Sequence, residues 1–409
     1  MKNKSSQKVQ KLMDKGVSIP NPETVMIGDD VNIDRISGRG TVVYSGCKIF
    51  GGNTLILNDV KLGYEAPVTI ENCHIGPETE LRGGFFRQAV FLKKVIMGYG
   101  SHVREGTILE EESSVAHTVG LKQTILFPFV TLGSLINFCD CLMSGGTSRE
   151  DHSEVGSSFI HFNYTPNQDK ATPSMMGNVP QGVMLNQKPI FLGGQGGIVG
   201  PARFAFGTIT AAGTICRKDE LQPGRMILAG VRNNINIPFV PGKHYNIKRT
   251  VLNNLVYIAN LFALNSWYHH VRSEFVTDDF PEELLNGLKE VLGMNIKERI
   301  KRLRDLPNII HNADCSDLRS EELRKNWSEI ESCFDSFYNF IGEEDILENL
   351  KTRLEKNGGF KNKEYIRAIQ ALKPEDAAIG SNWLQGIIDH IVFKLSGIIP
   401  SFGFNVETE

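Results

Sequence analysis

A spacing of six residues between apolar side chains dominates the first half of the sequence and limits its fold. The longest run comprises Leu192, Ile198, Phe204, Thr210 and Cys216. A six-residue repeat is typical of a β-helix, in which each repeat forms a short strand and a corner. The apolar residue of each repeat stacks on those of the neighbouring coils. A Gly-rich β-sandwich, the alternative fold, would show a clearer alternation of polar and apolar residues.

The charge and composition of the chain narrow its class. Lys and Arg number 44 and Asp and Glu 47, so the net charge of −3 gives no global basis for binding nucleic acid or an anionic membrane. No apolar run reaches the roughly 18 residues of a membrane span, and the N-terminus lacks the apolar stretch of a signal peptide. Seven scattered cysteines do not form a disulfide framework. We expect a soluble, cytoplasmic protein that requires no metal.

The sequence pattern becomes helical in the C-terminal third. Leu323, Trp327, Ile330 and Phe334 are separated by the steps that mark one face of a helix. We expect the last helix to begin with Ser381 as its N-cap. Three irregular stretches are predicted to be loops that leave the coils: 83–94, 140–153 and 164–190. The predicted organisation is a linker helix and entry segment at 1–22, a β-helix at 23–235, a linker at 236–247 and an α-helical domain at 248–409.

Several segments resemble those of a known family. Residues 11–33 resemble its linker helix and first coil, and the stretches 104–122, 160–164 and 191–219 resemble its active-site region. The family is that of the bifunctional UDP-N-acetylglucosamine pyrophosphorylase and glucosamine-1-phosphate N-acetyltransferase. Its acetyltransferase half is a left-handed β-helix that forms trimers, so the resemblance implies this fold and a homotrimer. The family's uridyltransferase domain precedes the linker helix, and only a few residues do so here; we therefore expect no uridyltransferase activity.

The resemblance implies a binding site for a sugar phosphate. Arg104 and Lys122 are 18 residues apart, which is one coil of three six-residue strands, so they should stack on one face. Residues at these positions bind the sugar phosphate in the family, and a guanidinium and an ammonium both suit a phosphate. Asn163 and Tyr164 match a pair that contacts the amino sugar and the acyl carrier, and Lys170 would replace a family lysine. Solvated surface cations and a loop that caps the β-helix are the alternative interpretations.

The resemblance also implies acetyl-CoA, or another acyl-CoA, as the co-substrate. Gly194 and Ala212 lie in stretches rich in small residues that match the family's acetyl-CoA site. Small residues there let the pantetheine arm approach the backbone. Arg217 and Lys218 would bind the phosphates of CoA. Alternatively, the glycines only serve the corners of the β-helix, where glycine is expected.

The position of the family's general base holds a different residue here. In the family a histidine follows the lysine by 12 residues, and counting from Lys122 gives Ser134. A serine cannot accept a proton near neutral pH without a base of its own. His161 is the candidate that we favour to replace the histidine, and His117 and His152 are further candidates.

These residues leave three hypotheses for function. The first is an acyl-CoA-dependent acyltransferase that acts on an amino-sugar phosphate or a nucleotide sugar, in metabolism of the UDP-N-acetylglucosamine type. The second is a non-catalytic protein that binds a sugar nucleotide or assembles as a trimer while its helical domain recruits a partner, and Ser134 favours it. The third is a partner subunit of a nucleotidyltransferase carried on another chain.

Overall fold

The N-terminal segment packs on the first coil as a helix. The computed structural model describes residues 2–165, 168–228, 246–311 and 318–404. Helix α1 (Lys2–Asp14) ends before Gly16, whose φ of +107° is a conformation that favours glycine. The Lys8 ammonium donates hydrogen bonds to the carbonyl oxygens of Gly28 (3.0 Å) and Val31 (2.8 Å), and these bonds hold α1 against the coil.

The following residues form a left-handed parallel β-helix of about 11 turns with three faces, which confirms the predicted fold. The first face consists of Met26–Ile27, Lys48–Phe50, Val68–Glu71, Gly84–Arg87, Ser101–Val103, the first halves of Val119–Leu126 and Ile136–Met143, Ile160–Phe162, Gly197–Val199 and Ile215–Cys216. The second face consists of Leu55–Ile56, His74–Ile75, Ala89–Phe91, Thr107–Leu109, the second halves of the same two long strands, Ser174–Met176 and Arg203–Phe204. The third face consists of Val42–Val43, Lys61–Leu62, Glu80–Leu81, Ile96–Met97, Ser114–Val115, Thr131–Leu132, Glu154–Val155, Phe191–Leu192, Ile209–Thr210 and Met226–Ile227.

Columns of apolar side chains fill the interior of the β-helix. On the second face Ile108 pairs with Ile125, and Ile125 pairs with Leu142 on the next coil. All three side chains are fully buried. Each coil buries its apolar side against its neighbours, and one such side chain contributes about 1.5–3 kcal/mol on burial. Stacking of this kind is the physical basis of the six-residue spacing.

The segment 83–94, which the sequence predicts to be a loop, forms two strands instead. Gly84–Arg87 lies on the first face and Ala89–Phe91 lies on the second. The register pairs Thr69 with Phe85, so this coil has 16 residues rather than 18. The shortened coil disrupts the six-residue spacing while the strands keep their pairing. The loop prediction for this segment is therefore wrong.

The other two predicted loops are partly strand. The strand Ile136–Met143 occupies the first residues of the segment 140–153, and the chain leaves the coil only after it. In the segment 164–190 the chain returns for the strand Ser174–Met176 and then forms the short helix α2 (Val179–Gly182). The first backbone N–H of α2 donates to Asn260 Oδ1 at 2.9 Å, which joins this excursion to the helical region.

The C-terminal part of the chain is helical, as predicted. Its α-helices are α3 (Ile247–His270), α4 (Glu282–His311), α5 (Leu318–Lys325), α6 (Trp327–Phe337), α7 (Glu344–Lys356), α8 (Gly359–Asn362), α9 (Tyr365–Gln370) and α10 (Pro374–Ile398). Within the described ranges, none of these helices is both long enough and apolar enough to cross a membrane. Positions 236–245 of the predicted linker lie outside the described residues, so the domain boundaries stay predictions.

The predicted N-cap of the last helix is wrong. Helix α10 begins at Pro374, and Lys373 holds the N-cap position without a side-chain capping bond. A proline is well suited to the first helical position because its fixed φ is helical and its missing N–H is not needed there. Ser381 therefore lies inside α10, where its hydroxyl donates to the carbonyl oxygen of Pro180 at 2.9 Å.

A buried ion pair joins the helical region to the β-helix. Asp140 of the long strand Ile136–Met143 accepts a bond from Arg299 of α4, with an N–O distance of 2.8 Å. Both side chains are almost completely buried. Removing one member of such a pair leaves an uncompensated buried charge, which typically costs about 3–5 kcal/mol. The pair therefore ties the two regions together.

A second buried polar cluster lies between the β-helix and the segment after α3. Arg272 forms a salt bridge with Glu111, and its guanidinium lies 3.6 Å from the centre of the Tyr365 ring. Tyr268 donates its hydroxyl hydrogen bond to Glu110. Burial and the neighbouring charge of Glu111 raise the pKa of Glu110 to about 7, although Arg272 opposes this. The cluster thus contains a carboxyl group that is only partly ionised near neutral pH.

We expect Ile125→Ala to lower the free energy of unfolding by about 2–5 kcal/mol, because it leaves a cavity inside the column of the second face. The conservative change Ile125→Val should cost only about 0.5–1.5 kcal/mol. Urea denaturation followed by circular dichroism measures both values. Phe393→Ala in α10 serves as the control, because Phe393 is exposed. A loss for Ile125→Ala no larger than that for the control would contradict the packing described here.

Candidate functional site

Basic side chains follow the corner between the first and second faces. The strand register places Arg87, Arg104 and Lys122 at this corner on three successive coils. The backbone N–H of Arg104 donates to the carbonyl oxygen of Leu121 at 2.9 Å, which fixes the position of Arg104 beside Lys122. This is the arrangement that the 18-residue spacing of Arg104 and Lys122 predicts. We call these three residues the basic corner.

Glu105, which no sequence motif indicates, neutralises part of the positive charge of the basic corner. Glu105 accepts from Lys122 at 2.7 Å and from Arg87 at 2.9 Å. Partial burial opposes the charged form of Glu105, but the bonds from Lys122 and Arg87 outweigh it and lower its pKa to about 2. Arg104 forms no salt bridge within the described part of the chain, and its Nε atom is buried without a partner. Arg104 is therefore the cation of this corner whose charge is least compensated.

The predicted sugar-contacting residue Asn163 lies two coils beyond Lys122, and Tyr164 follows it. Asn163 donates from Nδ2 to Asp140 at 2.5 Å, so its amide is held by the same carboxylate that binds Arg299. The Tyr164 side chain is exposed, and the Lys170 ammonium lies 5.9 Å from the centre of its ring. Tyr164 and Lys170 thus form a solvent-facing pair, whereas Asn163 is oriented by a protein partner.

Small side chains follow the corner between the third and first faces. Ser134, Ser157, Gly194 and Ala212 occupy it on four successive coils, and we call them the small-residue corner. The backbone N–H of Ser134 donates to Ser157 Oγ at 3.1 Å, and the N–H of Gly213 donates to the Gly194 carbonyl at 2.9 Å. A Cβ atom at Gly194 would lie only 2.7 Å from the Ser157 carbonyl oxygen, so glycine is required there. The corner offers exposed backbone to an extended ligand.

The predicted CoA-phosphate residues lie at the corner between the first and second faces, near the C-terminal end of the β-helix. Arg217 and Lys218 are both exposed and line a cleft of about 710 Å³, together with residues 213–216, 219–220 and 227–228. Their ammonium and guanidinium groups can reach solvent at the mouth of this cleft. Gly194 and Ala212 thus lie on the small-residue corner, whereas the register places Arg217 in line with Lys122 on the other edge of the first face, five residues from Ala212.

The structure places His161 inside the β-helix rather than on a surface. The side chain is 2% exposed, Nδ1 bonds to the Cys139 carbonyl at 2.6 Å, and Nε2 bonds to Ser174 Oγ at 2.7 Å. Burial lowers the pKa of His161 to about 4, although Asp140 opposes this. A general base needs a free lone pair that reaches the substrate, and neither nitrogen of His161 offers one in this geometry. The geometry therefore favours a structural role for His161.

The other two histidines that the sequence analysis considered have different surroundings. His117 is exposed at the small-residue corner, and its Nδ1 lies 2.9 Å from Ser134 Oγ on the next coil. His152 lies at the opposite corner, between the second and third faces, where its Nδ1 bonds to the Arg149 carbonyl at 2.7 Å. Of the three histidines, His117 alone is both exposed and adjacent to the predicted acyl-carrier groove. The contact was not predictable, because Ser134 and His117 are related by a coil of 17 residues.

The first face separates the two corners within one molecule. Lys122 pairs with Cys139, and Ser134 lies five residues before Cys139 on the same coil. At about 3.3 Å per residue, the two corners are about 16 Å apart. One acceptor sugar therefore cannot contact the basic corner and the small-residue corner of the same copy at once.

Apolar side chains are exposed on the first and third faces. On the first face they include Leu135, Ile160, Phe162 and Ile215. On the third face they are Phe191, Ile209 and Met226. Exposed apolar residues grouped in this way typically mark a surface that another molecule covers. No group of three His, Cys, Asp or Glu side chains that could hold a metal ion occurs among the residues that the structure describes.

Comparison with known proteins gives similarity for the β-helix. No protein-family model matches the chain. The bifunctional protein GlmU of Fervidobacterium nodosum is 28% identical over 211 residues, which cover 52% of this chain and 41% of that protein. Those of Thermotoga maritima and Pelobacter propionicus are 25% and 27% identical, covering 52% and 51% of this chain and 42% and 40% of theirs. The chain thus spans about two fifths of the length of these relatives. The resemblance to the left-handed β-helix of a bifunctional family is confirmed.

We expect His161→Gln to reduce the loss of stability on acidification. The folded pKa of His161, about 4, lies below the ordinary value of 6.5, so between these values the unfolded chain binds a proton that the folded chain does not. The stability that this difference provides is complete above pH 6.5 and is lost as the pH falls toward 4, by at most about 3 kcal/mol.

Urea midpoints measured from pH 4 to pH 8 test this expectation. His102→Gln is the matched control, because His102 is exposed on the first face and its ring stacks on Phe85. The control should retain the pH dependence of the wild type. An identical pH dependence in the wild type and His161→Gln would contradict the burial of His161.

Proposed function

We propose that the protein is an acyl-CoA-dependent N-acyltransferase that acts on an amino-sugar phosphate or a nucleotide sugar. The observation that carries the proposal is the pairing of a basic corner with a small-residue corner on the two edges of one face. The basic corner suits the phosphate of an acceptor, and the small-residue corner suits an extended acyl carrier. Similarity to bifunctional proteins named GlmU over about half of the chain supports this assignment.

The corners have separate roles in the proposed reaction. Arg104 binds the acceptor phosphate. Lys122 can also bind the phosphate when its salt bridge with Glu105 is broken. Tyr164 and Lys170 contact the sugar and the acyl carrier from their exposed positions, and Asn163 is held in place by Asp140. Gly194 and Ala212 line the pantetheine arm, while Arg217 and Lys218 bind the CoA phosphates. Holding the amine and the thioester together in this way supplies much of the rate by proximity.

A second copy of the chain completes the proposed site. The distance of about 16 Å between the corners of one molecule is too long for one acceptor. In a closed trimer the basic corner of one copy can face the small-residue corner of the next. Ile160 and Ile215, exposed on the face between the corners, would then be covered by the neighbouring copy. We therefore propose a homotrimer with sites between copies.

A non-catalytic role as a sugar-nucleotide-binding or assembly protein is the second candidate. Two observations favour it: Ser134 stands where a base is expected, and both nitrogens of His161 are bonded inside the protein. Under this hypothesis the corners bind ligands without turnover. Ligand binding and turnover must therefore be measured separately.

We expect acetyl-CoA and glucosamine 1-phosphate each to raise the thermal unfolding midpoint by a few degrees. A ligand at 100 times its dissociation constant stabilises the folded state by about 2.7 kcal/mol. Arg104→Gln should abolish the shift with glucosamine 1-phosphate and keep the shift with acetyl-CoA. Arg39→Gln, which changes an exposed arginine away from both corners, should keep both shifts. If neither these ligands nor a UDP-amino sugar moves the midpoint, the proposed function is wrong.

We expect Ile160→Glu to convert a trimer into monomers, because it introduces a charge into the apolar first face. Sedimentation equilibrium measures the mass of each species. Phe393→Glu is the matched control, since Phe393 is exposed on α10 and lies outside that face. A monomeric wild type, or a trimer that tolerates Ile160→Glu, would argue against the proposed assembly.

A further inference from the structure

The corner that carries the predicted acyl-carrier groove also carries a histidine and a serine in contact. Ser134 Oγ lies 2.9 Å from His117 Nδ1, and the imidazole is exposed to solvent. The backbone fixes this contact from both sides. The N–H of Ala116 donates to the Leu132 carbonyl at 2.9 Å, and the N–H of Leu135 donates to the His117 carbonyl at 3.1 Å. The two side chains therefore meet because adjacent coils are in register.

The contact with Ser134 occupies Nδ1 of the His117 imidazole, where the serine hydroxyl can either donate or accept a hydrogen bond. When Nδ1–H donates to the serine hydroxyl, the lone pair resides on Nε2, which points away from Ser134. No hydrogen bond to His117 Nε2 occurs within the described part of the chain. The backbone of Ser134 is also held in place, because its N–H donates to Ser157 Oγ at 3.1 Å. In this tautomer the imidazole has one free basic nitrogen at the small-residue corner.

We propose that His117 is the general base of acyl transfer and that Ser134 is a positioning residue which holds its tautomer and orientation. This proposal rests on the proposed function. In the reaction the acceptor amine attacks the thioester carbonyl, so a C–N bond forms and the C–S bond breaks. His117 Nε2 accepts the proton that the amine loses and returns it to the departing sulfur, which leaves as the thiol of CoA. The amide and free CoA account for all atoms and electrons.

Lys122 and Arg104 of the basic corner lie within one coil of His117 along the axis of the β-helix. His117 lies one coil, or about 4.8 Å, nearer the N-terminus than Ser134. On the basic corner, the corresponding step leads from Cys139 to Lys122, and Arg104 lies one coil further in the same direction. Lys122 is neutralised by Glu105, whereas Arg104 has no salt bridge within the described ranges. The base therefore lies on the coil of Lys122, and Arg104, the least compensated cation, lies one coil nearer the N-terminus.

The competing interpretation is that the contact only stabilises a corner. Ser134 could then be replaced with little effect on turnover as long as the chain folds. His117 is exposed, so its replacement should leave the fold intact. The two interpretations therefore differ in kcat rather than in stability.

The test measures the release of CoA thiol by the full chain from acetyl-CoA, with glucosamine 1-phosphate, glucosamine 6-phosphate and UDP-glucosamine as acceptors. His117→Gln should lower kcat by about 10²–10⁴-fold with little change in the KM for acetyl-CoA. Added imidazole should restore part of the rate in His117→Ala. Ser134→Ala should lower kcat by a smaller factor and alter the acidic limb of the kcat/KM profile, and Ser134→Thr should retain the wild-type profile.

Two further variants separate the roles of the corners and provide the control. Arg104→Gln should raise the KM for the acceptor more than Lys122→Gln does. His152→Gln, at the opposite corner, should turn over at the wild-type rate. Thermal midpoints and circular dichroism identify any variant that has lost its fold.

The outcomes distinguish this inference from the function on which it rests. Active wild type with His117→Gln within threefold of its rate overturns the inference and leaves the proposed function standing. Wild type that binds acetyl-CoA but turns over none of the acceptors overturns the inference and favours the non-catalytic hypothesis. A wild-type protein that neither binds acetyl-CoA nor turns over any acceptor overturns both the inference and the proposed function. Loss of rate in His117→Gln, with rescue of His117→Ala by imidazole, supports the inference.

Discussion

Register between parallel strands is the constraint on which the rest of this structure depends. Each residue of a coil bonds to its counterpart on the next coil about 4.8 Å away, so residues far apart in sequence become neighbours at a fixed spacing. Arg104 and Lys122 meet in this way at one corner, and His117 and Ser134 meet at another. The small residues Ser157 and Gly194 extend the second corner by the same rule. The chemistry proposed for this protein thus depends first on the pairing of the backbone, which brings the reactive side chains together.

The helical region is attached to this framework through buried charges rather than through apolar contact alone. Arg299 reaches Asp140, and Arg272 reaches Glu111, at sites where the side chains have almost no solvent exposure. Such pairs gain little net stability over apolar packing but penalise any misplaced docking, because an unpaired charge would stay buried. Asp140 also binds Asn163, one of the residues proposed to contact the sugar. The position of α4 therefore influences the orientation of a site residue.

The sequence predicts the parts of the structure that repeat and not the parts that depend on a side chain's partner. The six-residue spacing predicts the β-helix, and the 18-residue spacing correctly places Arg104 beside Lys122. The 18-residue spacing does not apply to coils of other lengths. In the 16-residue coil, a segment that the sequence predicts to be a loop forms strands instead. His161 is close to Asn163 in the sequence, which makes it a candidate base. Along the strand Ile160–Phe162, however, successive side chains alternate between solvent and the interior, and His161 points to the interior. The roles of Glu105 and Asp140 cannot be predicted from the sequence, because their partners come from other coils or from α4.

The excursion that contains α2 has a further consequence for how the molecule unfolds. Its backbone bonds to Asn260 of α3, and its Pro180 carbonyl accepts from Ser381 of α10, while Ser174–Met176 remains a strand of the β-helix. The segment that contains Ser174–Met176 and α2 thus pairs with the strands of the β-helix and also bonds to the C-terminal helices. Loss of either partner would expose it, so fraying of the helices should spread into the coils around residue 175 and couple the two halves into one cooperative transition.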